Sequence, residues 1–276
     1  MGGAGIDMGK CSGRKSIFIT GAASGIGKAT AKLFADRSWF VGLYDVNEAG
    51  LAEVEQEIGA ENCIKAKLDV RSREDWKAAV DAFGQETDGR MTVLFNNAGV
   101  GRHGWFEDIS GEDNDWVVDV NVKGVINGVE AALPLLKQTP GARIVNTAST
   151  AGVVGSPKLA VYSATKFAVR GLTEALDVEF SNLGIRVTSL MPWFIDTPIL
   201  DMGKADGANE KMSDMIRESG QDVYPVEIAA EKAWDAAHGN ETHYMAGKMA
   251  ERTRFIQRFM PGMLKKQLVK NLGPRE

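Results

Sequence analysis

Ser16-Ile17-Phe18-Ile19-Thr20-Gly21-Ala22-Ala23-Ser24-Gly25-Ile26-Gly27 is the stretch on which the fold turns. Its first five residues are mostly apolar and β-prone, which predicts a buried strand. The Gly-x-x-x-Gly-x-Gly that follows predicts a tight turn opening a helix from about Gly25 to Arg37, with Ala29, Leu33 and Phe34 at helical spacing. Glycine there lets the backbone bend sharply and come close to a phosphate, which the helix N-terminus attracts.

Outward from that turn the chain keeps alternating. Phe40 to Tyr44 reads as a second strand ending on Asp45, and Glu48 to Ile58 as a helix. Cys63 to Leu68 is a third strand ending on Asp69-Val70, followed by a helix from about Arg73 to Glu86. Thr92 to Phe95 leads into Asn96-Asn97-Ala98-Gly99, and a helix is expected from roughly Asp113 to Lys137, with Asn121 inside it. Strand Arg143 to Thr147, the Ser149 loop, a helix from Tyr162 to about Asn182 and strand Gly184 to Leu190 complete the series. Six strands separated by helices imply right-handed parallel β-α-β units and a doubly wound α/β sheet, with ligands at the carboxyl ends of the strands. Gly21, Asp45, Asp69, Asn97 and Ser149 all fall at such ends.

The 276 residues, 44% hydrophobic and 25% charged, are ordinary for a globular protein. A net charge of -5 gives no reason to expect nucleic acid as a partner. No run approaches the roughly eighteen apolar residues of a membrane span. Cys11 and Cys63 are too few for a disulfide framework, and with Cys11 placed in a tail the reading is a reducing cytoplasm. Residues 1–13 are Gly-rich and read as a flexible arm. No cluster suggests a metal site.

Tyr162 and Lys166 stand four residues apart, on one face of the predicted helix. A tyrosine ordinarily loses its proton near pH 10, and a fixed positive charge beside it favours phenolate. Ser149 lies thirteen residues earlier, at the end of a strand-like run. The pair taken alone is compatible with a surface helix. At the other end of the sheet, the Asp45 carboxylate can accept both hydroxyls of an adenosine ribose and repels a 2'-phosphate. Neither Ser24 nor Val46 is basic, so NAD is favoured over NADP. Asp69 and Val70 are placed to meet an adenine, and Asn97-Ala98-Gly99 to line the nicotinamide half.

Thr20-Gly21-x-x-x-Gly25-Ile26-Gly27, Asn96-Asn97-Ala98-Gly99, Ser149 and Tyr162-x-x-x-Lys166, in this order and spacing, resemble the short-chain dehydrogenase/reductase family over about residues 14–247. The resemblance implies a mostly parallel seven-stranded Rossmann-type sheet in a single domain. It implies that Tyr162 is the general acid/base, that Lys166 lowers the tyrosine pKa and holds the nicotinamide ribose, and that Ser149 hydrogen-bonds the reacting oxygen. By the same resemblance Asn121 distorts its helix and holds a water behind Lys166, and Pro192, Ile195 and Thr197 meet the nicotinamide. It also implies a homodimer or homotetramer built through the Asp113–Lys137 and Tyr162–Asn182 helices.

In Met191-Pro192-Trp193-Phe194-Ile195-Asp196-Thr197 a tryptophan replaces the glycine usual after proline in that family. Trp193 either lines the substrate side of the nicotinamide or packs away beneath the following segment. Phe194 and Trp105 are expected at the pocket, with residues 198–224, including Met202, Met212 and Met215, as its lid. His103 as a second base is a minor alternative. Residues 248–276 carry eight Lys/Arg against Glu251 and Glu276, a net of +6, leaving about -11 for the rest. This basic amphipathic extension either caps the pocket, touches a membrane surface weakly, or packs on its own or a neighbouring subunit. The expected activity is NAD-dependent interconversion of a hydrophobic or aromatic secondary alcohol and its ketone. The alternatives are a ketone reductase or epimerase-like enzyme using NADPH, and a non-catalytic nucleotide sensor.

Overall fold

The computed structural model describes residues 10–11, 13–201, 216–218 and 220–272. Strand β1 (Ser16–Thr20) lies in the middle of a sheet, between β2 (Phe40–Asp45) and β4 (Val93–Asn96). Outside β2 lies β3 (Cys63–Lys67); beyond β4 come β5 (Arg143–Thr147), β6 (Arg186–Pro192) and β7 (His243–Ala246). The order is β3-β2-β1-β4-β5-β6-β7 and every pairing is parallel. The strand order reverses between β1 and β4, so the crevice of this doubly wound sheet opens at their carboxyl ends.

Both faces are covered, as a parallel sheet requires. Ile17 and Ile19 of β1 point to one side, into a core with Phe34 of α1 (Gly25–Asp36), Leu51 of α2 (Glu48–Ile58) and Ala233 of α7 (Val226–His238). Phe18 points to the other, stacking on Tyr44 with ring centres 3.9 Å apart. Around that stack pack Trp76 and Phe83 of α3 (Arg73–Glu86) and Leu136 of α5 (Gly124–Lys137). Alternate residues of one strand thus anchor two cores.

Four differences from the sequence-based expectation bear on the site. The single helix expected from Asp113 is three pieces: α4 (Gly111–Val118), a π-turn (Asp119–Lys123) and α5. The helix bearing Tyr162, α6, runs Ala160–Glu179 and tightens into a 3-10 turn at Phe180–Leu183. Strand β6 starts two residues later than expected and continues through Pro192, because Gly184, with φ +69°, forms the turn before it. Cys11 is not in a loose tail: it is 4% exposed, its N–H donates to Glu86 O, and the Arg14 guanidinium donates to the Lys10, Cys11 and Glu61 carbonyls. Residues 1–9 and 12 of the expected arm lie outside the described residues.

Past β7 the chain forms two further helices, α8 (Lys248–Phe259) and α9 (Pro261–Leu272). Helix α8 packs on β7 and on the 3-10 turn Thr150–Gly152, and α9 packs on α8.

Candidate active site

The first β-α turn is closed by hydrogen bonds that join β1 to β4. Thr20 Oγ1 accepts from the N–H groups of Asn97 and Ala98 at 3.0 and 3.1 Å, while Asn97 Nδ2 donates to Thr20 O and Gly21 O. Gly21 has φ +68°, and a Cβ there would sit 2.9 Å from Ala98 Cα. A Cβ on Gly27 would fall 2.0 Å from Gly21 O, so no other residue fits beneath the turn. Ser24 begins α1 without a side-chain cap, and the first turn carries no acidic residue. Its N–H groups and the positive end of the helix dipole are therefore open to an anion.

Asp45 is oriented by the main chain: Oδ2 accepts from Ala23 N–H at 3.1 Å and Oδ1 from Asn47 N–H at 3.0 Å. Each oxygen keeps a lone pair for a further donor. Asp69 and Val70 lie on the same cavity wall. The Asp69 carboxylate is gripped by the Arg71 side chain, at 2.9 Å (Nε to Oδ1) and 2.6 Å (Nη2 to Oδ2), which holds it below the usual carboxylate range. Arg71 itself reaches the cavity and escaped the sequence reading, although the Asp69-x-Arg71 spacing within a turn was its available signal.

Ser149, Tyr162 and Lys166 meet between β5 and α6. Ser149 caps the Thr150–Gly152 turn, its Oγ accepting from Ala151 N–H at 3.1 Å. Burial pushes the Tyr162 phenol upward, and interaction with the Ser149 hydroxyl pulls it the other way. Lys166 is 3% exposed; its Nζ donates to Thr147 O at 2.9 Å and lies 5.5 Å from the Tyr162 ring centre. Burial also acts on Lys166, lowering its pKa to about 8.

Asn121 occupies the π-turn, where one extra residue per turn widens the helix. Its Oδ1 accepts from Val100 N–H and its Nδ2 donates to Val100 O, both at 2.9 Å. Nδ2 also donates to Thr165 Oγ1 at 3.1 Å, and that hydroxyl donates to Tyr162 O at 2.7 Å. Asn121 therefore ties the loop after β4 to the turn of α6 that carries Tyr162. A Cβ on Gly99 would lie 3.4 Å from Asn121 Oδ1 and 3.5 Å from Lys166 Nζ, so the three converge.

One cavity of about 960 Å³ contains nearly all of these positions: Gly21, Ser24, Gly25, Ile26, Asp45, Val46, Asn97, Ala98, Gly99, Ser149, Tyr162, Lys166, Pro192, Ile195 and Thr197 line it. Gly27 and Asn121 act from behind the wall. Trp193 answers to both of its expected positions. Its indole packs on a cluster containing Ala148, Met191, Met245 and Ala250, and it still lines the cavity beside Phe194, with ring centres 5.1 Å apart. The Trp193 Nε1–H is buried and has no hydrogen-bond partner among the described residues.

Trp105, expected at the pocket, is not among the residues lining this cavity. It precedes the 3-10 turn Phe106–Asp108 with Lys158 Nζ 5.1 Å from its ring centre. Trp116 of α4 lines the cavity instead, with the Arg102 guanidinium 4.3 Å over its ring. His103 lines the cavity as well. Of the expected lid, residues 202–215 and 219, with Met202, Met212 and Met215, lie outside the described residues; Leu200 and Ile216 on either side line the cavity. Among the described residues, no group of three or more His, Cys, Asp or Glu is arranged to hold a metal ion.

A family model described as short chain dehydrogenase matches residues 15–208. "Oxidoreductase UcpA" of Salmonella typhimurium is 39% identical over 197 residues, covering 70% of this chain and 74% of that protein. "Cyclohexanol dehydrogenase" of Acinetobacter sp. is 39% identical over 189 residues, covering 67% and 75%. Among solved structures, a short-chain dehydrogenase/reductase from Burkholderia phymatum in complex with NAD superposes with a TM-score of 0.79 at 30% identity, over 91% of this chain and 95% of that one.

Proposed function

The chain belongs to the short-chain dehydrogenase/reductase family of oxidoreductases, and from that premise we propose that it interconverts a hydrophobic or aromatic secondary alcohol and its ketone with NAD. The observation that carries this reading is the meeting of Ser149, Tyr162 and Lys166 in one cavity with the glycine turn and Asp45. The cradle suits a dinucleotide: Gly21, Ser24, Gly25 and Ile26 of the tight turn line the cavity, and the α1 N-terminus is left open. Asp45 would take the adenosine ribose hydroxyls, the Gly21–Gly27 turn the pyrophosphate, and Lys166 the second ribose. NAD, when bound, accepts or supplies the hydride.

Everything else falls to this chain's own groups. Tyr162 takes the proton from the alcohol oxygen in oxidation and returns it in reduction. Ser149 hydrogen-bonds the same oxygen and stabilises the charge that develops on it. Asn121 acts as a positioning residue, holding the Val100 loop against α6 and, through Thr165, the backbone of Tyr162. Trp116, Trp193, Phe194 and Leu200 give the substrate side an apolar lining, which supports an apolar alcohol over a sugar.

The same proposal includes a cytoplasmic homodimer or homotetramer. Phe167 and Val178 of α6 are 42% and 73% exposed, an apolar face suited to a second subunit. Cys11 and Cys63 are free thiols, in keeping with a reducing compartment. Any weak membrane-surface contact would fall on the outer side of α8, where Phe255 and Phe259 are exposed among basic residues. A panel of cyclic, aromatic and aliphatic secondary alcohols, assayed with NAD and NADP at the NADH absorbance, tests the reading. Turnover with apolar alcohols and NAD supports it; turnover with none of them contradicts it.

A further inference from the structure

We propose that the C-terminal helical hairpin α8–α9 is the specificity wall of the site and selects alcohols with a long apolar body. This rests on the reading of Ser149 and Tyr162 as the reacting end. Both helices turn one stripe to the cavity that holds those residues. On α8 the stripe is Met249, Thr253 and Ile256, and on α9 it is Leu264, Leu268 and Leu272. The spacings are those of a single helix face. Ile256 and Leu264 are each 8% exposed, although α9 packs chiefly on α8 rather than on the sheet. Their inward side faces the cavity.

The hairpin is anchored where it matters. Ala250 is fully buried in the cluster that also holds Trp193, and α8 packs on the turn that Ser149 caps. The wall is therefore fixed relative to the reacting hydroxyl. It lies beyond residues 15–208, the part of the chain matched by the family model. Arg252, Gln267 and Asn271 line the cavity too and are exposed, marking a polar rim. A substrate fitting this outline reacts at Tyr162, lays its apolar body along Ile256, Leu264 and Leu268, and ends near the rim.

Each methylene laid against such a wall raises affinity by about fourfold. In a 2-alkanol series, kcat/KM is expected to climb steadily with chain length, above that for cyclohexanol. The double variant Leu268→Gln, Leu272→Gln keeps helix-forming residues and is expected to lose about tenfold or more on 2-dodecanol. Cyclohexanol and NAD should change by less than about twofold. Gln267→Trp, at an exposed position, narrows the mouth without touching the core and is expected to show the same selectivity. Leu268→Met should behave as the unaltered protein.

The Kd of 2-dodecanol and of cyclohexanol for the NADH complex, read by NADH fluorescence, gives the same comparison without turnover. A weaker Kd for 2-dodecanol alone supports the wall even if no alcohol is oxidised, an outcome that would sink only the proposed reaction. Equal Kd values in the unaltered and double-variant proteins, or equal losses on both alcohols, overturn the proposal.

Discussion

The Lys166 ammonium lies 5.5 Å from the centre of the Tyr162 ring and donates to Thr147 O. Lys166 is buried and Tyr162 half-buried, and burial opposes the charged form of each: the phenol is pushed up and the amine down to about 8. Oxidation needs the unprotonated phenol and reduction the protonated one. Alcohol oxidation is therefore expected to gain kcat/KM with rising pH across the alkaline range, while ketone reduction falls. Rates in both directions from about pH 6 to about pH 10 check this. Oxidation that slows as pH rises would remove Tyr162 as the base.

Burying Lys166 has a stability consequence. Its folded-state pKa, about 8, lies below the ordinary 10.5, so between those values the unfolded chain binds more protons. Stability from this group thus rises with pH across that window, and below it the buried ammonium costs on the order of 3 kcal/mol. Lys166→Met removes that cost but leaves Thr147 O without its donor, a loss of about 1–3 kcal/mol. The variant is expected to melt about 2 °C higher at neutral pH, without turnover, and to lose the advantage near pH 10. A much lower Tm at neutral pH would contradict the burial argument.

Asp45 is held by the N–H groups of Ala23 and Asn47, so its carboxylate is fixed before any ligand arrives. Asp45→Ala should weaken NAD by about tenfold and improve NADP, narrowing the ratio of the two kcat/KM values. The measurement is kinetic, with both nucleotides on one alcohol. A native preference for NADP would refute the assignment of Asp45.

Trp193 presents a buried N–H with no partner among the described residues. Trp193→Phe loses apolar contact with the Ala148–Met245 cluster but also removes that unsatisfied donor. The two effects oppose, so denaturant titration should find stability within about 1 kcal/mol of the parent. KM for the alcohol should shift, because the ring lines the cavity. A loss of several kcal/mol would mean that the indole N–H has a partner after all.

The strand–turn–helix at Ser16–Gly27 was legible because a wholly buried strand and a glycine turn leave strong local marks, and α2 and α3 end where their periodicity does. The π-turn around Asn121 was not, since one extra residue in a turn hardly disturbs an apolar stripe. Strand β7, four residues long, is too short to show alternation. Nor could a linear reading tell that Trp116 would line the cavity, or that Lys166 would donate to Thr147, nineteen residues earlier. These depend on how separate elements pack. The family motifs lie in the local category; the tail and Trp193, which line the cavity, lie in the other.

Turnover and NAD binding measured together in Tyr162→Phe test the central claim most directly. The variant keeps the ring and removes only the hydroxyl facing Ser149. A loss of about a thousandfold in kcat is expected, with Kd for NAD within about threefold of the parent. Near-parental turnover in Tyr162→Phe, or a loss of NAD binding as large as the loss of rate, would contradict it.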